Sequence, residues 1–313
     1  MDDVQPVAKP TPDEIEAIVI DLDGTLLNSE HVMTDRTRDT IRRAIDAGKR
    51  IILATGKTRA SAESVIAALN LSTPGVFVQG MVIFNADGSI RHQQMVDVQA
   101  ARRVIQYAEN SGCEVLAYSG NRLIARHDGE PFEMLTDYHE PAVEAVGPLV
   151  NKLGQIPIHK FIIFGSPRKL KALRWQLNQQ VGDAVSFTTT ALSDQLEILP
   201  KGGSKGSGLR VLLRELNIHP NHVIAIGDAL NDAEMLKLVR LGVAMGNAAE
   251  GLKKVADVIT SSNDEDGVAE VIEQYVLGEE PGAQADEDEE TTAEAPAADA
   301  TTPDSETTES DES

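Results

Sequence analysis

An apolar run, Ile15, Ala17, Ile18, Val19 and Ile20, stops abruptly at two carboxylates, Asp21 and Asp23. No other feature constrains the fold as tightly. The run predicts a buried strand over 15–20, and a carboxylate at the end of such a strand is costly unless something cationic neutralises it. Gly24 permits a tight backbone approach at this point, and Thr25 adds a hydroxyl. The chain must therefore turn this acidic end to water or gather compensating groups around it. Taken alone, D-x-D-G leaves both outcomes open.

The residues that follow repeat the pattern of a buried strand and then a one-faced helix. A helix is predicted from Asp35 to Ala47, with Ile41, Ala44 and Ile45 inward and Gly48 as its stop. A strand over 50–56 ends near Thr55. Residues 58–69 carry Ala62, Val65, Ile66 and Leu69 at helical spacing, and 75–80 reads as a third strand. This order implies a parallel sheet with right-handed crossovers. Residues 81–95 then read as a hairpin about Ala86-Asp87-Gly88. Near Met95 the pattern changes. A helix with Val104, Ile105 and Ala108 inward precedes strands at 114–119, 121–127, 159–165, 183–189 and 195–199, with a second helix at 167–180. The lone Trp175 of that helix is expected to pack. After Pro200 the alternation returns: a helix striped by Leu209, Leu212, Leu213 and Leu216, a strand over 222–228, a helix over 231–240, a strand over 242–246, a helix over 248–255, a short strand at 258–260 and a last helix over 267–276. The expected fold is α/β, a doubly wound parallel-sheet core with an inserted α+β unit. Its parts are a disordered lead-in 1–13, a core of 14–94 and 199–277, an insert of 95–198 and a disordered acidic tail 278–313.

Charge needs to be read by region. The chain has 313 residues and a net charge of −22, but residues 278–313 hold fourteen of its 50 acids and no Lys or Arg. Residues 1–277 keep 36 acids against 28 bases, a net of −8. That balance argues against a nucleic-acid partner, whereas the tail could recruit a basic one, especially if its Ser and Thr were phosphorylated. No run has the roughly 18 apolar residues of a membrane span. The opening MDDVQPVAKPTPDE is neither a secretory signal nor an Arg/Ser-rich transit peptide. Cys113 is the only cysteine, so no intrachain disulfide forms and nothing argues for an oxidising compartment. Cytoplasmic location is the expectation, a processed organellar form being the open alternative. The histidines lack metal-ligand spacing.

Three predicted strands end in reactive groups: Asp21, Thr55 and Asp228. In an open parallel sheet, ligands bind at the carboxyl ends of strands, so these residues should meet at one edge. Lys205, in GGSKGSG, should lie in the first turn of the Leu-striped helix, where ammonium and helix dipole both favour an anion. Asp232 adds a further acid. Such crowding is relieved by a hard divalent cation, and Mg²⁺ suits a few carboxylates with water and phosphate oxygens. A hydroxyl and an ammonium beside it describe a phosphate site. A carboxylate there can be phosphorylated and then hydrolysed, which splits one hard displacement in two.

DLDGTLL (21–27), ATG (54–56), SKG (204–206) and GDALND (227–232), in that order, resemble the four motifs of the haloacid dehalogenase superfamily. The insert resembles a type-IIB cap, and VAMGNA (243–248) with DGV (266–268) resembles the Cof-type subfamily. The resemblance spans about 15–277 and implies a Rossmann-like core under a cap that closes over substrate. It implies that Asp21 is the nucleophile and Asp23 the general acid/base. Thr55, Gly56 and Lys205 would hold the transferring phosphoryl group. Mg²⁺ would be bound by Asp21, the backbone carbonyl of Asp23 and Asp228, with Asn231 and Asp232 in support. Asn247 matches a position close to substrate or loop, Lys57 one near substrate, and residues 127–130 are candidates for reaching into the pocket. Two departures stand out: Lys57 replaces the usual Arg, losing bidentate recognition, and Gln79 replaces the usual Asn, which reads as a change at the pocket rim. The implied activity is a Mg²⁺-dependent phosphatase for a small phosphorylated metabolite, such as a sugar phosphate, FMN or pyridoxal phosphate. A phosphomutase and a catalytically idle binding protein are the alternatives. GGSKGSG is not a nucleotide-binding P-loop, because Gly206 follows the lysine where Ser or Thr is required. Cys113 has no evident activating partner.

Overall fold

The computed structural model describes residues 10–189 and 193–279. Residues 1–9 of the expected lead-in and 280–313 of the expected tail lie outside that range. The first described element is a 3₁₀ turn, Pro12–Glu14, inside the stretch expected to be disordered.

In chain order the core begins with β1 (Ala17–Ile20), α1 (Asp35–Asp46), β2 (Arg50–Leu53), α2 (Glu63–Ala68), β3 (Gly75–Phe77), β4 (Val82–Phe84) and β5 (Ile90–Gln93). The inserted stretch contributes α3 (Val98–Asn110), β6 (Glu114–Ser119), β7 (Arg122–Ala125), β8 (Val143–Ala145), β9 (Lys160–Phe164), α4 (Pro167–Val181), β10 (Val185–Thr189) and β11 (Gln195–Pro200). The chain then returns through α5 (Lys205–Glu215), β12 (Val223–Gly227), α6 (Ala233–Leu236), β13 (Leu241–Ala244), α7 (Glu250–Lys253), β14 (Val258–Ile259) and α8 (Gly267–Ile272).

The first sheet is parallel throughout, in the order β14-β13-β12-β1-β2. Each residue of β1 is buried, because helices cover both faces of an all-parallel sheet. Ile20 lies in register with Ile226 on one side and Leu53 on the other. The chain leaves β1 in one direction and returns on its other flank, so the strand order reverses at the carboxyl end of β1.

The third strand departs from expectation. Only Gly75–Phe77 is extended, and it pairs antiparallel with β4 in a separate sheet, β3-β4-β5. A single parallel bridge, Ala54 to Val76, ties it to the end of β2. Residues 78–80 form a 3₁₀ turn instead of more strand. The later helices are also shorter than their apolar patterns suggest. Residues 230–232 are a 3₁₀ turn ahead of the four-residue α6, α7 has four residues, and α8 passes into a π turn over 273–277.

The inserted stretch builds a six-stranded, largely antiparallel sheet, β10-β11-β9-β6-β7-β8. Its side chains alternate between two environments, as strand geometry requires. Val115, Ala117, Phe161 and Ile163 pack with α3 and α4 residues such as Val104 and Leu173. Leu116, Tyr118, Ile162 and Phe164 join the core cluster of the first sheet. Trp175 does not pack as expected: it is 68% exposed, because α4 buries Leu170, Leu173, Leu177 and Val181 on the opposite face. Cys113 is buried, as an unreactive thiol would be. No described helix is long and apolar enough to cross a membrane.

A buried histidine gives this fold a pH dependence. His159 Nδ1 accepts the Gly120 N–H at 3.0 Å, and Nε2 lies 2.9 Å from Gln93 Oε1, an arrangement that needs the neutral ring with its proton on Nε2. Burial pushes its pKa down from 6.5 to about 4. The unfolded chain therefore takes up a proton that the folded chain refuses. The stability this contributes is complete above pH 6.5 and is lost as pH falls towards 4. Between pH 7.5 and 4.5 the wild type should lose about 2–3 kcal/mol more than His159→Gln in urea unfolding. Equal slopes for the two proteins would contradict a neutral buried ring.

Candidate active site

The sheet register places the chemistry. The Asp21 N–H donates to Ile226 O at 3.1 Å, and the Ala54 N–H donates to Ile20 O at 3.0 Å. Asp21, Thr55 and Asp228 thus leave three adjacent strands at one edge. Gly24 is needed beside them: its φ is +72°, and a Cβ there would sit 2.6 Å from Asp228 Oδ2.

Lys205 crosses to this edge from the first turn of α5. Ser204 caps that helix by accepting the Ser207 N–H at 3.0 Å, and the Ser207 hydroxyl accepts the Ser204 N–H at 3.0 Å. The Lys205 side chain is 1% exposed, and its Nζ reaches Asp21 Oδ1 at 2.6 Å and Asp232 Oδ1 at 2.7 Å. The other oxygen of Asp232 accepts the Asp228 N–H at 3.1 Å and the Ala229 N–H at 3.0 Å. Both Asp232 oxygens are thus already engaged in fixing Lys205 and the loop that carries Asp228. Thr25 Oγ1 donates to Asp228 Oδ1 at 3.0 Å.

The carboxylates of Asp21, Asp228 and Asp232 lie within 4.8 Å of one another. Burial, followed by mutual repulsion, raises each of their pKa values to about 6, even against the attraction of Lys205. Burial alone would depress Lys205, but the charges of Asp21 and Asp232 hold it above its ordinary value. Three acids thus face one ammonium. On the same loop the Asn231 Oδ1 is buried without a hydrogen-bond partner among the described residues. An excess of hard oxygen donors with an orphaned acceptor fits a divalent cation such as Mg²⁺.

Thr55 is buried and its Oγ1 accepts the Lys57 N–H at 3.2 Å, which leaves its hydroxyl hydrogen to donate. Lys57 Nζ pairs with Asp23 Oδ1 at 2.6 Å and lies 5.3 Å from the centre of the Tyr138 ring. Lys57 therefore ties the Thr55 loop to Asp23 and reaches the Tyr138 ring. The exposed Asn247 side chain bridges loops, donating to Gly24 O at 2.8 Å and accepting the Asn263 N–H at 3.0 Å. It steadies the turn after Asp23. Residues 127–130 are all exposed, and His127 pairs with Glu114 at 3.0 Å.

Several groups that meet the 55–58 loop from the inserted stretch were not anticipated. Lys160 Nζ donates to Gly56 O at 2.8 Å and pairs with Glu197 Oε1 at 3.0 Å. Glu140 accepts the Thr58 hydroxyl at 2.6 Å and lies 3.4 Å from the Tyr118 hydroxyl, whose pKa burial raises. The available signal was a charged residue inside an otherwise apolar strand, as in HKFIIFG and QLEIL. The Gln79 side chain is not at the rim. It is 8% exposed and contacts both Glu197 and Asn231. Its turn is strained, with φ of +52° at Val78 and +59° at Gln79, and β-branched residues rarely adopt such values. Two bonds to the 55–58 loop hold it: Val78 N–H to Lys57 O at 2.8 Å and Gln79 N–H to Thr55 O at 3.2 Å. Gly80 completes the turn, and a Cβ there would fall 2.1 Å from Ser204 O, so the turn packs directly on the start of α5.

A family model of haloacid dehalogenase-like hydrolases matches residues 18–272. The chain is 35% identical over 271 residues to the protein named endoribonuclease YBEY, chloroplastic, of Arabidopsis thaliana. That match takes in 83% of this chain but 46% of the Arabidopsis protein, so the chain spans about half the length of that relative. It is 28% identical over 265 residues to the 5-amino-6-(5-phospho-D-ribitylamino)uracil phosphatase YcsE of Bacillus subtilis, covering 84% of this chain and 97% of the other. Among solved structures, a haloacid dehalogenase-like hydrolase from Bacteroides thetaiotaomicron superposes with a TM-score of 0.75 at 30% identity, over 83% of this chain and 99% of that one.

Proposed function

The chain belongs to the haloacid dehalogenase-like hydrolases, and from that premise we propose that it is a Mg²⁺-dependent phosphatase acting on a small phosphorylated metabolite through an aspartyl-phosphate. One observation carries this reading: Lys205 lies fully buried between Asp21 and Asp232, beside Asp228 and the orphaned Asn231 oxygen. Three carboxylates and one ammonium leave a net charge of −2, which one divalent cation neutralises.

Asp21, Asp228 and the backbone carbonyl of Asp23 would hold Mg²⁺, with Asn231 and Asp232 in support. When bound, the ion supplies charge neutralisation for the crowded oxygens. The Asp21 carboxylate attacks phosphorus, forming an Asp21–phosphorus bond as the bond to the leaving oxygen breaks. Asp23 gives that oxygen its proton. In the second half Asp23 takes a proton from water, the water oxygen bonds phosphorus, and the acyl phosphate releases inorganic phosphate and Asp21. Thr55 and Lys205 orient the phosphoryl group, and Asp232 holds Lys205 in place.

The residue range 95–198 is proposed as the cap. Tyr118, Lys160 and Glu140 line its lower face against the 55–58 loop, a setting suited to a compact substrate. Sugar phosphates and phosphorylated cofactors such as FMN or pyridoxal phosphate are the classes to test first. The Bacillus relative's name adds ribityl phosphates to that group. The Arabidopsis protein's ribonuclease name is not carried over, because the match spans 46% of it. The lone buried Cys113 suits a reducing compartment. The cytoplasm is the primary placement, and the plastid is the alternative raised by the chloroplastic relative. A screen of phosphorylated metabolites with Mg²⁺, reading free phosphate, tests the function. Isomerisation without phosphate release would replace the phosphatase reading with a phosphomutase.

The metal reading has its own test. Without a cation the three aspartates have pKa values raised to about 6, so the stability they contribute by holding protons is lost as pH rises through 6. Mg²⁺ must displace those protons, so it should stabilise more at pH 7.5 than at pH 5. At a hundredfold excess over its dissociation constant the gain is about 2.7 kcal/mol, or roughly 5–10 °C in unfolding temperature. The shift at pH 5 should be less than half of that. No shift at pH 7.5, or equal shifts at both, would sink the metal site.

A further inference from the structure

We propose that Gln79 is a positioning residue that decides which end of the Asn231 amide is presented beside Asp228 and Asp232. The inference rests on the reading of that acidic pocket as a divalent-metal site.

A buried charge pair sets the polarity. Lys160 and Glu197 are 4% and 3% exposed as side chains and 3.0 Å apart. Beside an ammonium, the Glu197 carboxylate can only accept hydrogen bonds. Gln79 must therefore turn its NH₂ group towards it, and Nε2 lies 3.2 Å from Glu197 Oε2. The Gln79 carbonyl oxygen then points the other way and can only accept. Asn231 must answer with its own NH₂ group, and Nδ2 lies 3.1 Å from Gln79 Oε1. The amide of Asn231 is left with no choice of orientation. Its carbonyl oxygen is the buried, unpartnered group on the 228–232 loop. Two amides in series thus carry the polarity of a charge pair in the second sheet to the metal loop. An Asn231 turned over would offer two N–H donors among three carboxylates, which suits no cation.

Gln79 is well placed to transmit this. Its backbone N–H is bonded to Thr55 O at 3.2 Å, so the residue spans the phosphate loop, the metal loop and the second sheet. Leu or Met at this position meets the same left-handed φ as Gln does, so substitution removes the polarity without adding backbone cost.

The test is binding of Mn²⁺ to the full chain without substrate, followed by the electron paramagnetic resonance of free Mn²⁺. Gln79→Leu should weaken binding about tenfold or more, the range seen when outer partners of metal ligands are removed. In an Asn231→Ala background, which keeps all three aspartates, the same change should alter affinity less than twofold, because the group it orients is gone. A general structural defect would weaken both backgrounds alike. If Gln79→Leu fails to fold, Gln79→Met preserves length without either polar atom and serves the same comparison. Unchanged Mn²⁺ affinity in Gln79→Leu, or an undiminished loss in the Asn231→Ala background, overturns the relay. A wild type that binds no Mn²⁺ overturns the metal site and the relay together.

Discussion

Asp21→Asn should lower phosphate release on the order of 10⁴-fold or more, for any substrate that the wild type accepts. An amide is a poor nucleophile and cannot form the acyl phosphate. Residual turnover would come only from groups that orient phosphate, such as Lys205 and Thr55. The result is read as inorganic phosphate with Mg²⁺ present. Circular dichroism shows whether the variant is folded, since Asp21 also anchors Lys205. Asp23→Asn makes the sharper contrast. It keeps the nucleophile but removes the group that activates water, so a substrate with a good leaving group should leave phosphorylated protein behind. Asp21→Asn should never do so. Activity of Asp21→Asn within tenfold of wild type would rule out the covalent route.

Lys205→Met should have the larger effect on the fold. It leaves Asp21 and Asp232 buried with no ammonium between them. Breaking a buried pair in this way costs about 3–5 kcal/mol, or on the order of 10 °C in unfolding temperature. The sign with pH follows from the carboxylates. They already titrate near pH 6, and without the lysine they are pushed further up. The deficit should be largest at pH 7.5 and shrink at pH 5, where protons replace the missing charge. Mg²⁺ should restore part of the stability at pH 7.5 and none of the activity. A Lys205→Met protein as stable as wild type at pH 7.5 in chelator would mean that the two aspartates are not ionised together in the native state.

The Gln79 relay shows why a departure from a motif can be hard to weigh. As a residue after a short strand, Gln79 reads as rim. Its φ of +59°, its two side-chain partners and its bond to Thr55 O place it against the 55–58 loop. Trp175 is a converse case. A lone aromatic in a Leu-striped helix reads as core, yet it falls two residues from both Leu173 and Leu177, about half a turn round the helix, and faces outward.

The sequence alone determined that Asp21, Thr55 and Asp228 would meet. Apolar runs long enough to be buried strands, separated by one-faced helices, admit a parallel sheet, and such a sheet brings its strand ends to one edge whatever lies between them. Lys205 followed from its place just ahead of the Leu-striped helix, in that helix's first turn. Only the tertiary structure decided what closes the site from the other side. Glu140 meets Thr58 across 82 positions, Glu197 meets Gln79 across 118, and Asn231 meets Gln79 across 152. A charged residue within an apolar strand shows by alternation which face it occupies, but not what stands opposite. The partners of Lys160 and Glu197 depend on how one sheet seats on another, and that is a matter of packed surfaces with no local pattern to announce it.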